Sequence, residues 1–373
     1  MRREIKELYL STVIMNLAIA MVQIFEPIYL YAIGYSLQEI MLFFFIVYFL
    51  YLLIMPFGAK FTARFGNETS IVLSSLFITL LYLALYGVQF YPGLFYVAAV
   101  LYALQKTFYW PAFHSDFAQN VVKREQGREV SGLALLTSVM FILGPVLAGS
   151  LIFLGGYGAL FLTASVIFIL SNIPLLSTKE RVKRQTFSYV HSFQTLFGLA
   201  NRRQLIAYIG FAEELTAMVV WPIFISTIIS GSFDVGLIIG ATALLTAFIT
   251  LGIGRWIDHH HRHPILWFGS ALNSIAWLMR VGVGTAFGIF WVGTVSSVAK
   301  SIVAIPLTAI TYSRAKKISV LSSIVAFESA LVIGKLLMIV ILYFVFSTSP
   351  NLEIAFSISF VLAALTSLLY TLL

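Results

Sequence analysis

Residues 8 to 34 read LYLSTVIMNLAIAMVQIFEPIYLYAIG, an apolar run interrupted by a single charge, Glu26. A helix needs roughly 20 mostly apolar residues to cross a bilayer, and this run exceeds that. A secretory signal would have an apolar core of about 7 to 15 residues and then a small-residue cleavage site. The run has neither feature, so it is expected to stay as a first membrane span anchored by Arg2, Arg3 and Lys6. Applied outward, the same ruler gives spans at Leu8–Ile33, Ile40–Phe57, Thr69–Val88, Gly93–Asp116, Val130–Phe153 and Gly158–Leu176. After a polar stretch it gives Gln204–Ile229, Val235–Ile253, Pro264–Val283, Ala286–Tyr312, Ser319–Phe346 and Ile354–Leu373. The expected fold is an all-α integral membrane protein of twelve transmembrane helices.

Composition agrees. Of the 373 residues 60% are hydrophobic and 10% charged, whereas soluble domains carry about 25% charged residues. The net charge of +8 is spread in small groups between apolar segments, which excludes a nucleic-acid-binding patch. No cysteine is present, so disulfides, thiolate nucleophiles and cysteine-ligated zinc are excluded. No catalytic triad signature and no glycine-rich phosphate loop occurs, which argues against an enzyme, an ATP-driven machine or a bound cofactor. His259, His260, His261 and His263 have no confirmed ligand geometry, and no metal site is expected.

Basic residues set the orientation. Lys60 and Arg64 follow span two; Lys123, Arg124 and Arg128 follow span four; Lys179, Arg181, Lys183, Arg184, Arg202 and Arg203 follow span six. Arg255 and Arg262 follow span eight, and Arg314, Lys316 and Lys317 follow span ten. The other four, Lys106, Arg280, Lys300 and Lys335, lie inside spans. Both termini are therefore expected in the cytoplasm, with the protein multi-pass in the cell membrane. The long interruption divides the chain into an N-terminal bundle (1–178), a basic cytoplasmic linker (179–203) and a C-terminal bundle (204–373). Val190, Phe193 and Phe197 recur there at helical spacing, leaving two alternatives, an amphipathic helix on the leaflet or a flexible linker.

At an offset of 195 residues the halves align without a gap. Pro27-Ile28-Tyr29 meets Pro222-Ile223-Phe224, Pro111 meets Pro306, and Arg64-Phe65-Gly66 meets His259-His260-His261. Such a duplication predicts two pseudo-symmetric six-helix bundles with a cavity between them. The stretch Gly58 to Gly66, with Arg64 and Gly66, resembles the loop motif between spans two and three of the major facilitator superfamily. Ala63 stands where that motif has Asp. The second-half copy, Gly254 to Arg262, keeps Gly254 and Asp258 and ends on the basic Arg262. Gly144-Pro145-Val146-Leu147-Ala148-Gly149 is similar to the span-five element of the family's exporters, and Trp110-Pro111-Ala112-Phe113 to its aromatic-proline stretch, with Lys106 standing in part for the usual Arg.

The resemblance implies a secondary transporter that moves a small organic solute by alternating access with proton coupling, export being slightly favoured by the span-five element. Import of a sugar or organic anion, or a non-transporting receptor or scaffold, are the alternatives. A monomer in the lipid bilayer, with a small-molecule substrate and a proton as partners and no nucleic acid, is expected. Spans one, four, seven and ten line the family's cavity and spans five and eleven its edges. This implies a path through Glu26, Lys106, Glu213 or Glu214, Lys300, Glu328 and Lys335, walled by Tyr109, Trp110 and Trp221. An ionisable group at mid-span costs roughly 2.5 to 3.5 kcal/mol on insertion scales, so it is expected to face a cavity or a partner. A carboxylate there can take a proton on one side and release it on the other as its surroundings change. Adjacent Glu213 and Glu214 point about 100° apart, so one is expected to pair with Lys300 or Lys335 and the other to lie near the cytoplasmic surface. Glu328 and Lys335 share a helix face but lie roughly 10 Å apart along it, so each needs another partner. Asp116 is expected to lock a gate by pairing with Arg64, His114 to be an ordinary interfacial histidine, and Arg280 to snorkel.

Overall fold

The computed structural model describes residues 3–120, 127–176, 187–198, 201–258, 262–315 and 320–373, with side chains for most of them. These residues are helical almost throughout. The first half contains α1 (Arg3–Val22), α2 (Phe25–Ala32), α3 (Leu37–Phe65), α4 (Asn67–Gly87), α5 (Leu94–Asn120), α6 (Gly127–Ser171) and α7 (Ile173–Leu176). Then come α8 (Tyr189–Phe197), α9 (Arg202–Ile209), α10 (Ala212–Leu215), a π-helical turn (Thr216–Val220) and α11 (Trp221–Ile228). The remainder is α12 (Ser232–Asp258), α13 (Arg262–Met279), α14 (Ala286–Ala315), α15 (Val320–Thr348) and α16 (Leu352–Ser367), closed by a 3-10 turn (Leu368–Leu372).

Among the described residues nine helical stretches are long and apolar enough to cross a membrane. One of them, Leu136–Ser171, holds two of the anticipated passages, because the chain turns at Gly156, whose φ of +71° suits glycine. Thr137 lies beside Asn16, Tyr157 meets Tyr29, and Asn172 has returned to Ser75. Helices α5 and α13 stand at the fourth and ninth anticipated positions, packed against α4 and α14 respectively. They fall outside the nine by the apolar criterion; α5 carries Gln105, Lys106 and Thr107, all buried. Outward-facing Leu53, Phe57, Leu154 and Phe344 are exposed, as a bundle solvated by lipid requires.

Both long breaks occur where the repeat puts a proline. Pro27 lacks the N–H that would bond the carbonyl of Gln23, and α1 stops at Val22 before α2 begins. In the second half the π-helical turn runs up to Trp221, with Pro222 in the first turn of α11. The loop-motif glycine, Gly66, is the one residue between α3 and α4, and its φ of +102° makes the tight turn. Within the linker, residues 189–197 are helical. Leu196 is buried beside Tyr208 and Phe327, while Val190, Phe193 and Phe197 are exposed, so for this stretch the helical alternative holds.

The two halves meet along a seam of small residues. A Cβ on Gly236 of α12 would strike the carbonyl of Pro145 in α6, and one on Gly149 would meet the Ser232 backbone. Glycine there lets two spans approach backbone to backbone. Gln38 Nε2 also donates to the carbonyl of Phe346 at 2.8 Å, tying α3 to α15. Replacing Gly236→Val should therefore lower the melting temperature of the detergent-solubilised protein, by overpacking of about 1–3 kcal/mol. Gly252→Val, with open space around the new side chain, should leave it near the parent value; equal melting of both variants would contradict the seam.

Candidate functional site

A cavity of about 760 Å³ lies between α1, α3 and α5 of the first half and α10, α14 and α15 of the second. Its aromatic wall includes Tyr48, Tyr102, Tyr109, Trp110 and Phe327. Helix α5 supplies much of it because Tyr102, Lys106, Tyr109 and Phe113 recur every three or four residues on one face. Tyr109 and Trp110 are in ring contact at 5.0 Å, and Trp110 stacks on His114 at 5.3 Å. Trp221 does not belong to this wall. It packs on Phe224, Phe360 and Arg280 in the second half instead.

The charges fall into three groups. In the first half Glu26 is 4% exposed, and its Oε1 has no hydrogen-bond partner among the described residues. Lys106, equally buried, lies over the rings of Tyr102 at 4.2 Å and Tyr48 at 5.3 Å. Those aromatic faces stabilise the ammonium where no carboxylate is within ion-pair distance among the described residues.

The second group is a network around α10. Glu213 Oε1 pairs with Lys300 and accepts from Tyr370 Oη at 3.1 Å, while its Oε2 accepts from Trp277 Nε1 at 2.8 Å. Glu214 bridges Lys300 at 3.2 Å and Lys335 at 3.1 Å. The carboxylates do diverge as adjacent helical residues must, yet the expectation that one lies near the surface is corrected. Glu213 is 2% exposed and points away from the main cavity, and Glu214 faces into it.

The third group joins the halves. Glu328 of α15 accepts from Tyr51 of α3 at 3.0 Å and lies 2.9 Å from His114 Nε2 of α5. His114 is thus a cavity residue and not an ordinary interfacial one, and Glu328 and Lys335 each have another partner as their separation demanded. Arg280 is also corrected: it is 4% exposed, lies over Trp277 and Trp221, and donates to Ser296 at 2.8 Å. Asn67 Nδ2 donates to Asp116 at 3.5 Å, whereas exposed Arg64 lies over Phe65, so the anticipated Arg64–Asp116 pair is not the contact formed. Gly144 sits against Ala20. The side chains of Asp258 and Arg262, the surroundings of Gly254, and His259 to His261 lie outside the described residues.

Tyr48, Tyr51, Tyr102, Trp277 and Tyr370 were not singled out by their sequence. Tyr48 and Tyr51, three apart in span two, were the available signal, since a polar tip repeated on one face of an apolar helix needs partners.

Helical passages long and apolar enough to cross a membrane, enclosing a charged, aromatic cavity, are the build of a multi-pass membrane protein. The Major Facilitator Superfamily profile matches residues 8–212, more than half of the chain, and the chain belongs to that superfamily. Among curated proteins none matches its sequence significantly. The crystal structure of the nucleoside transporter NupG superposes with a TM-score of 0.72 at 12% identity, covering 99% of this chain and 98% of that one. The E. coli fucose:proton symporter FucP gives 0.68 at 16% identity, with 99% and 98% covered. A bacterial homologue of the human drug peptide transporters PepT1 and PepT2 gives 0.74 at 10%, with 99% and 96% covered. At such identities the likeness is one of fold.

Removing one member of a buried charge network leaves the rest unpaired. Glu213→Leu is accordingly expected to destabilise by about 3 kcal/mol, read as a fall in melting temperature. Adding Lys300→Met should recover part of that loss, and strictly additive losses would show that the pair is not coupled.

Proposed function

We propose that this protein is a proton-coupled secondary transporter that moves a small organic solute through the central cavity by alternating access. Residues 1–178 and 204–373 form the two rocking units, joined by the linker 179–203. The observation that carries the coupling is Glu26, buried in the cavity wall with an oxygen that lacks a donor among the described residues. A carboxyl group so held exchanges a proton, or pairs with Lys106, as the cavity faces first one side and then the other. A scaffold gains nothing from burying that group, whereas a coupled carrier needs it. A fucose:proton symporter among the structural neighbours supports this mode of energising.

Glu214, Lys300 and Lys335 form the polar side of the substrate path, and Tyr109 and Trp110 its aromatic side. The Glu328 contacts with Tyr51 and His114 close the halves on each other and must loosen as the cavity changes access. Export is the direction favoured by the likeness of Gly144–Gly149 to the family's exporters. The protein works as a monomer in the cell membrane with both termini in the cytoplasm.

In proteoliposomes carrying a pH gradient, one compound from a panel of sugars, organic anions and lipophilic cations should trigger proton movement in the parent protein. Glu26→Gln should bring that movement to background while retaining solute-for-solute exchange; full proton coupling in the variant would remove Glu26 from the mechanism. Orientation has its own test, which the lack of native cysteine makes simple. Tyr91→Cys, exposed in the turn between α4 and α5, should react with an impermeant maleimide in intact cells. Ser188→Cys should react only after permeabilisation, and the reverse pattern would invert the topology.

A further inference from the structure

Beside the main cavity lies a second one of about 370 Å³, enclosed by α10 to α14, by Gln23 and Ile24 just past α1, and by Phe141 and Pro145 of α6. The Glu214 and Lys300 side chains line both, so the ion pair forms part of the wall between them. Three side chains in the smaller cavity are more than nine-tenths buried and present polar atoms without a partner among the described residues. These are Nε and Nη1 of Arg280, Nδ2 of Asn273 and Oγ1 of Thr242. Asn273, Trp277 and Arg280 follow one another at i, i+4 and i+7 and so share a face of span nine. The indoles of Trp277 and Trp221 cover the guanidinium at 3.5 and 4.4 Å from its carbon, which leaves the in-plane N–H groups as its unsatisfied directions. Ser296 takes only Nη2.

The ion pairs leave Arg280 aside. Both carboxylates in the wall of this cavity, Glu213 and Glu214, are engaged by lysines, and among the described residues neither pairs with the guanidinium. Converging donors without an acceptor around an unpaired buried guanidinium are complementary to a compact monovalent anion. Ile239, Ile289 and Phe141 add apolar wall that accepts the body of a small organic molecule, beside polar Gln23, Ser296 and Ser297 and the carboxylates Glu213 and Glu214.

We propose that this side cavity binds a compact anionic group, with Arg280, Asn273 and Thr242 as its donors, and that it anchors the carboxylate of an organic-anion substrate. The assignment as substrate rests on the transport reading above; binding of the anion does not. The alternative source of the same chemistry is a free inorganic anion.

The full-length protein in chloride-free detergent buffer would be titrated with benzoate, with chloride and with the neutral isostere benzamide. Tryptophan fluorescence, to which Trp221 and Trp277 contribute, would be followed in a Trp110→Phe background that silences the main cavity's indole, together with melting temperature. Benzoate should give a saturable change and raise the melting temperature, and benzamide should do neither. Chloride acting alone and displacing benzoate would identify an inorganic-anion site, and silence from chloride would identify a carboxylate site. Arg280→Gln should weaken benzoate binding about 30-fold or more, the loss of a buried charged hydrogen-bond donor. Should that variant fail to fold, Thr242→Val with Asn273→Ala keeps the guanidinium and should still weaken binding several-fold. No saturable response to either anion, an equal response to benzamide, or unchanged affinity in the folded variants would each overturn the site. Because binding is read without transport, failure of the proton-flux experiment leaves this result standing, and the reverse also holds.

Discussion

Glu213 is the point on which the second half of the molecule turns. Burying a carboxylate in a bundle solvated by hydrocarbon costs several kcal/mol unless donors replace its water. Three do so here: Lys300 from α14, Trp277 from α13 and Tyr370 from the turn after α16. Meeting that requirement pins the short α10 against three other elements. Its neighbour Glu214 is then aimed, about 100° round the helix, at the main cavity, where it gathers Lys300 and Lys335. The polar side of the cavity is thus a consequence of how one hidden carboxylate is satisfied.

The first half uses the same scaffold with different chemistry. At the repeat offset Glu26 falls opposite Trp221, and Lys106 opposite Ser301, one residue from Lys300. Both halves interrupt a helix just before the matched proline, one by a break after Val22 and the other by a π-helical turn. Such interruptions free backbone groups and permit bending where a cavity or a neighbour can satisfy them. Among the described residues Lys106 is held by ring faces and Glu26 keeps an oxygen without a partner, unlike the ion-paired Glu213 and Glu214 of the second half.

Between the halves two kinds of contact divide the work. Glycines of α6 and α12 pack backbone to backbone, a contact that tolerates no added atoms. Glu328, Tyr51 and His114 join through side chains that can exchange partners. The alternating access proposed above would use both, a close seam to pivot along and polar ties that open at low cost.

The sequence by itself determined the membrane fold, because a bilayer rewards long apolar helices and the spacing of Pro27 with Pro222 and of Pro111 with Pro306 records a duplication. It also determined that Glu328 and Lys335 could not pair, since helix geometry alone separates them. It did not reveal that Arg280 is buried between two indoles, or that Glu213 is hidden while Glu214 faces the cavity. Span nine carries its polar residues on one face, but which neighbour that face meets is not written in its own periodicity. The contacts of Arg64 and Asp116 were likewise not legible: Arg64 lies over Phe65, and Asp116 accepts from Asn67. Insertion energetics act on each helix separately and are legible one span at a time; partner choice is a property of helix pairs, and only the tertiary structure decided it.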